Sequence, residues 1–217
     1  MSAGAIDVLL AARRVADFAS AEGARGAAPV LRPTLEHMGA IVADAVLQAG
    51  LNYAAVVRPR VEVILEDHPQ ANRVSALAKL VESGQVAAFL NWHHPTKVKR
   101  FEQLVMFLVR SSIETSEDLR TNFRYSEFSL SLRTISGVGP KTVDYLACLV
   151  GIESIAIDRH VQAYALRAGV CSRDYDFLRE VFCSAADLLS LSRRAFDAWV
   201  WSHGSSAAKS PQLAVSL

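Results

Sequence analysis

Ile135-Ser-Gly-Val-Gly-Pro-Lys-Thr-Val-Asp-Tyr-Leu146 reads as a corner between two helices. Ahead of it, Phe128, Leu132 and Ile135 are spaced by four and three, one face of a helix. Behind it, Val143, Leu146, Ala147 and Val150 recur at i, i+3, i+4 and i+7, a second apolar face. Gly137-Val138-Gly139-Pro140 lies between them. Glycine accepts backbone angles that other residues avoid and lets a partner approach the chain closely. Proline suits the first turn of the new helix, where its missing N–H is not needed. The N–H groups of Gly137, Gly139 and the new helix then converge on one point. Donors without partners and the positive end of a helix dipole coincide there, which favours an anion such as a nucleic-acid phosphate. The alternative is an ordinary αα-hairpin whose glycines only make the corner.

Seventeen residues beyond Lys141 stands Asp158, in Ile155-Ala-Ile-Asp-Arg-His-Val-Gln-Ala-Tyr164. A short apolar run ends there and a helical pattern through Val161, Ala165 and Ala168 begins, which makes Asp158 an N-cap. Lys141 lies on the helix side opposite Val143, Leu146 and Val150, away from the core. Asp144 and Tyr145 share that side and either line a cleft or face solvent.

Gly137-Val-Gly-Pro-Lys141 followed by Ile157-Asp158-Arg-His160-Val161 resembles the helix-hairpin-helix base-excision DNA glycosylases of the endonuclease III type. The resemblance is specific over about 130–170. It extends more weakly to Trp199-Val-Trp-Ser-His203-Gly204. It implies an all-α fold of two helical subdomains with a DNA cleft between them. Residues 35–152 would form a helical barrel ending in the hairpin, 1–34 with 153–205 the second subdomain, and 206–217 a flexible tail. It further implies that Lys141 is the nucleophile and Asp158 its partner. Gly137, Val138, Gly139 and Thr142 would meet the DNA backbone. Gln48-Ala-Gly-Leu-Asn-Tyr53 falls where the family carries a loop that fills the gap left by an extruded nucleotide, so Gln48, Asn52 and Tyr53 are candidates for that role. A plain helix–helix connection is the alternative reading of the same loop.

The residues leave Lys141 two roles. As a nucleophile it needs an unprotonated amine, hence a lowered pKa or a nearby base. As a cation it would simply contact a phosphate. Asp158 could take the proton or stabilise positive charge on the sugar, and could cap its helix at the same time. A carboxylate beside an ammonium raises the lysine pKa, so desolvation or another cation has to act against it. His160 is expected to pack or hydrogen-bond locally. His93 and His94, beside Trp92 and Pro95, read as a loop corner. Arg58, Arg60, Lys97, Lys99 and Arg100 are either phosphate contacts or a solvated face.

The chain of 217 residues is 51% hydrophobic and 21% charged, ordinary for a folded soluble protein. No apolar run is long enough to span a bilayer and no signal segment opens the sequence, so a cytoplasmic, nucleoid-associated bacterial protein without membrane contact is expected. Cys148, Cys171 and Cys183 are scattered and odd in number, against a disulfide framework. Many relatives hold an iron–sulfur cluster with four cysteines beyond the His-Gly element. This chain has no cysteine after Cys183, so no cofactor and no metal are expected. The net charge of +1 confines any DNA-binding face to a local patch.

Almost every remaining segment has helical period. Ile6, Leu9, Leu10 and Phe18 predict an opening helix that ends in the Gly/Ala stretch 23–28. Met38 to Val46, Val61 to Leu65 behind Pro59, Val74 to Val81, and Val98 to Leu108 behind Pro95 predict four more. Thr115-Ser-Glu-Asp118 has the form of a capping box with a shorter acid than usual. Leu178, Val181 and Phe182, then Phe196, Trp199 and Val200, predict the last two, and Ser205 to Leu217 reads as a fraying end. The function expected is excision of a damaged or mispaired base from duplex DNA by a monomer, with an abasic-site lyase step. The alternatives are a non-catalytic helix-hairpin-helix DNA-binding module and a helical interaction protein.

Overall fold

The computed structural model describes residues 4–26 and 34–207, with side chains through His203. It is all-α, and among the described residues there is no strand. In chain order the helices are α1 (Ala5–Ala21), α2 (Met38–Leu47), α3 (Arg58–Asp67), α4 (Val74–Glu82), α5 (Val86–Phe89) and α6 (Pro95–Arg110). They continue with α7 (Ser116–Asn122), α8 (Ser126–Leu132), α9 (Pro140–Leu149), α10 (Arg159–Arg167), α11 (Tyr175–Leu188) and α12 (Arg193–Ala207). A π-helical turn, Tyr53–Val57, leads into α3, and a 3₁₀ turn, Pro69–Asn72, follows it. Two compact units result, Met1–Arg32 with Glu153–Leu217, and Pro33–Ile152. The expected fraying end begins inside α12, which runs to Ala207, and residues 208–217 lie outside the described residues.

The unit Pro33–Ile152 is organised around α2, all ten of whose residues are buried. The side chain of His37 caps its start by accepting from the Ala40 amide at 3.1 Å. The helix gives way at Gly50, whose φ is +84°. Helices α3, α6 and α9 pack against α2. A Cβ on Gly39 would lie 2.9 Å from Phe89 Cζ and 3.0 Å from the Ala71 carbonyl oxygen, so only glycine allows this approach. The capping box at Thr115 forms despite the short acid: Asp118 Oδ2 accepts from the Thr115 and Glu114 amides at 2.8 and 3.0 Å. Asp118 in turn receives the Thr115 hydroxyl, and these bonds hold its carboxyl below the usual range.

In the other unit α1 packs on α11 and α10 on α12. The expected opening helix forms as α1, with its small residues turned inward. Ile6, Leu9 and Leu10 are 74%, 58% and 58% exposed, while Val8, Ala11, Ala12, Val15, Ala16 and Ala19 are buried. Both sets have helical spacing, and the small-residue face fits closest to a neighbouring helix. Tyr164 is the aromatic hub of the unit, with edge contacts to Phe18, Phe182 and Trp199. The Arg167 guanidinium lies over the Phe18 and Tyr164 rings and pairs with Glu22.

Candidate nucleic-acid interface

The corner between α8 and α9 is built by three local choices. Ile135 and Val138 are buried and pin its two arms to the core. The Val138 amide donates to the Ile135 carbonyl at 2.9 Å, which closes the turn. Gly137 takes φ +80°, a left-handed angle that a side chain would strain. Its bare Cα also accommodates Arg100: a Cβ there would sit 1.8 Å from Nη2 of that residue. Arg100 Nε donates to the Ser136 carbonyl at 3.2 Å and so ties α6 to the corner.

Gly139 forms the N-cap of α9 with extended backbone and no side-chain cap bond. Its carbonyl accepts from the Thr142 and Val143 amides at 3.0 and 3.1 Å. Among the described residues, no backbone carbonyl accepts from the amides of Gly137 or Gly139. Two donors of the corner are therefore available to an incoming acceptor. The side chains of Val138 and Thr142 are buried, so whatever these two residues present outward is main chain.

Lys141 follows in the first turn of α9, half-buried, with Nζ donating to Gln48 Oε1 at 3.0 Å. Gln48 is the C-cap of α2, and its own Nε2 is buried with no acceptor. One turn away along both helices, Tyr145 donates its hydroxyl to Asp44 Oδ1 at 2.9 Å. The two rungs step in opposite directions along the chain, so α2 and α9 run antiparallel. Tyr53 donates to Asp44 Oδ2 at 3.2 Å. A carboxyl group in the interior of a helix buried on every side requires such donors.

Lys97 of α6 completes the arrangement. Its ammonium donates to the Val46 and Ala49 carbonyls, each at 2.6 Å, and so closes the C-terminal turn that carries Gln48. Burial, with the charges of Arg100 and Lys141 nearby, pulls its pKa down to about 8. The cationic edge of α6 thus holds two things at once: the end of α2 through Lys97, and the hairpin through Arg100.

The remaining sequence candidates are placed as follows. Asn52 is exposed and caps the π-helical turn, its Oδ1 accepting from the Ala55 amide at 2.9 Å. Tyr53 is half-buried and committed to Asp44. Asp144 and Tyr145 are buried, neither solvated nor open to a cleft, because residues 142–149 of α9 are buried on all faces. Asp158 caps α10, its Oδ1 accepting from the His160 and Val161 amides at 2.8 and 3.0 Å. It belongs to a different unit from Lys141. His160 packs against Trp201, and His94 caps α6. Arg60 donates to the Val56 and Asn91 carbonyls and lies over the Trp92 ring. Lys99 is exposed.

Sequence reasoning passed over Asp44, and one signal was there: it is the single charge in the otherwise apolar run Met38–Leu47. Among the described residues no group of three His, Cys, Asp or Glu is placed to hold a metal ion. Nor is any described helix long and apolar enough to cross a membrane. No protein-family model matches the chain, and no curated protein and no solved structure matches it.

Proposed function

We propose that this protein is a base-excision DNA glycosylase that acts on a damaged or mispaired base in duplex DNA and carries an abasic-site lyase activity through Lys141. The observation that carries the reading is the Gly137–Lys141 corner. Its two amides without carbonyl partners stand immediately before a half-buried lysine, on a helix N-terminus with no side-chain cap. A backbone phosphate on the amides would bring a deoxyribose to the amine. After burial and Arg100, the charge of Lys141 helps lower the Lys97 pKa, and a neighbouring cation is the kind of counterweight a nucleophilic amine needs beside acidic groups.

In the chemistry proposed, neutral Nζ attacks C1′ and the bond from C1′ to the base nitrogen breaks. The base leaves with the bonding pair and takes up a proton. The nitrogen gives up one proton after the attack, O4′ takes up a proton from solvent as the sugar ring opens, and a protonated imine to C1′ results. Loss of a C2′ proton then expels the 3′ phosphate and cuts the strand. Water hydrolyses the imine and returns the amine. Asp158 is proposed as the proton acceptor or as the stabiliser of charge on the sugar.

The test is borohydride trapping on a duplex with one abasic site, with wild type and Lys141→Ala side by side. A covalent adduct from wild type alone is expected. An adduct from both proteins points to another amine. No adduct with salt-sensitive DNA binding intact leaves the hairpin as a non-catalytic DNA-binding module. In that case Lys141→Ala weakens binding and lowers the salt slope by about one.

A further inference from the structure

Gln48 is bonded at one end of its carboxamide and orphaned at the other. Oε1 accepts from Lys141 Nζ at 3.0 Å, whereas Nε2 is closed off from solvent with no acceptor. A buried donor without a partner costs free energy, so the side chain sits in an arrangement it gains by leaving once a better set of partners arrives. The backbone beneath it is fixed, because Lys97 holds the carbonyls of Val46 and Ala49 on either side of Gln48 at 2.6 Å. What can move is the side chain.

The bond also has a chemical sign. An amide oxygen that accepts from an amine favours the charged form, and a charged amine has no lone pair with which to attack. The Gln48 contact therefore opposes the use of Lys141 as a nucleophile. Asp44, one turn back on α2 and bonded by Tyr53 and Tyr145, and Asp144 on α9 itself set acidic side chains in the same helix pair. Lys97 and Arg100 on α6 oppose them with positive charge. With charges of both signs around the amine, the contact most readily switched is the neutral one.

We propose that Gln48 gates Lys141: it keeps the amine charged in the free protein and releases it when its carboxamide turns to an acceptor and donor on the bound substrate. The inference rests on the proposed function for the nature of that substrate, duplex DNA with a vacated base position. The base left opposite the vacancy has an edge of donors and acceptors that one carboxamide can match with both ends. The same carboxamide cannot serve that edge and Lys141 together, so filling the vacancy frees the nucleophile. Gln48 is in this sense a positioning residue, and it takes no part in bond making.

The experiment begins without DNA. The full-length protein is methylated with formaldehyde and borohydride near neutral pH, and labelling of Lys141 is read by peptide mass spectrometry against the exposed Lys79 and Lys99 of the same molecules. Gln48→Ala is expected to raise the Lys141 ratio about tenfold, the worth of one hydrogen bond to a charged group. Greater exposure of Lys141 would also raise it, so Gln48→Glu is the discriminating variant. A carboxylate of nearly the same size holds the ammonium harder and lowers the ratio about threefold, which exposure cannot do. No rise with alanine, or no fall with glutamate, overturns the proposal. On an abasic-site duplex, wild type is expected to form the borohydride-trapped adduct, because the gate is then open. If wild type forms no adduct at all, the lyase reading has failed, and the labelling ratios still decide whether Gln48 restrains Lys141.

Discussion

Lys97 gives the fold a pH dependence that can be worked out in advance. Its ammonium is half-buried, and burial with the charges of Arg100 and Lys141 takes its pKa from 10.5 to about 8. The folded value is the lower one. Below pH 8 both the folded and the unfolded chain carry the proton, and the cost of burying the charge is fully present. Between pH 8 and 10.5 the unfolded chain keeps a proton that the fold has shed, so stability rises with pH through this window. At 1.36 kcal/mol per pH unit the full span corresponds to about 3 kcal/mol. Solvent screening of a half-exposed group reduces that to about 1–2 kcal/mol. The two carbonyl bonds at the C-terminal end of α2 favour the charged form and reduce it further. The expectation is therefore a gain of about 1 kcal/mol in wild type relative to Lys97→Met between pH 7.5 and 10. Urea unfolding at four pH values measures it, with Lys97→Arg as the control that keeps its donors and does not titrate. Lys141→Ala removes one of the repelling charges, so the rise should begin at higher pH in that background. A wild-type minus Lys97→Met difference flat to about 0.3 kcal/mol across the range would refute the reasoning.

Two further outcomes follow from the hairpin and the cap. Gly137→Ala places a methyl group where Arg100 lies and forces a left-handed angle on alanine, a loss of about 1–2 kcal/mol in thermal unfolding. Gly137→Ala with Arg100→Ala relieves the collision and leaves the backbone term, so the pair should recover only part of that loss. Asp158→Asn keeps an oxygen for the His160 and Val161 amides and should leave stability within about 0.5 kcal/mol, whereas Asp158→Ala loses about 1 kcal/mol with the cap. If the carboxylate serves the chemistry, both variants slow adduct formation equally. A slow alanine variant beside a normal asparagine one assigns Asp158 to the cap alone.

Features carried by a few adjacent residues were legible in the sequence. The corner at Gly137–Pro140, the cap at Asp158 and the box at Thr115 each depend on side chains within three or four positions of the backbone groups they serve, and each forms. Burial was legible only where the apolar pattern admitted a single reading. In α1 it admitted two, and large side chains drew the eye to Ile6, Leu9 and Leu10, although the tight approach to α11 selects alanine and valine. In α9 the pattern marked one face, but the helix is enclosed, and Thr142, Asp144 and Tyr145 are buried with it. A polar residue can occupy a core position if a partner from a distant segment meets it, and nothing local records that partner.

The candidate site shows where this matters most. Lys97 and Arg100 look alike in the sequence, two cations on the exposed start of a helix that a phosphate could use. Lys97 is already committed to two carbonyls of α2, and Arg100 donates to the hairpin carbonyl of Ser136. A cation whose donors serve the protein's own main chain orders that chain before it neutralises anything else. The chain's 23 lysines and arginines are balanced by 22 acidic residues, so positive charge is not in general surplus. The two amides of the corner, which cost no charge, are then the better candidates for a phosphate, and the work of α6 is to keep them and Lys141 in register. The contact that defines the site, Lys141 on Gln48, joins residues 93 positions apart. Its meaning lies in the bond that Gln48 makes and in the one it lacks, and only the folded chain displays both.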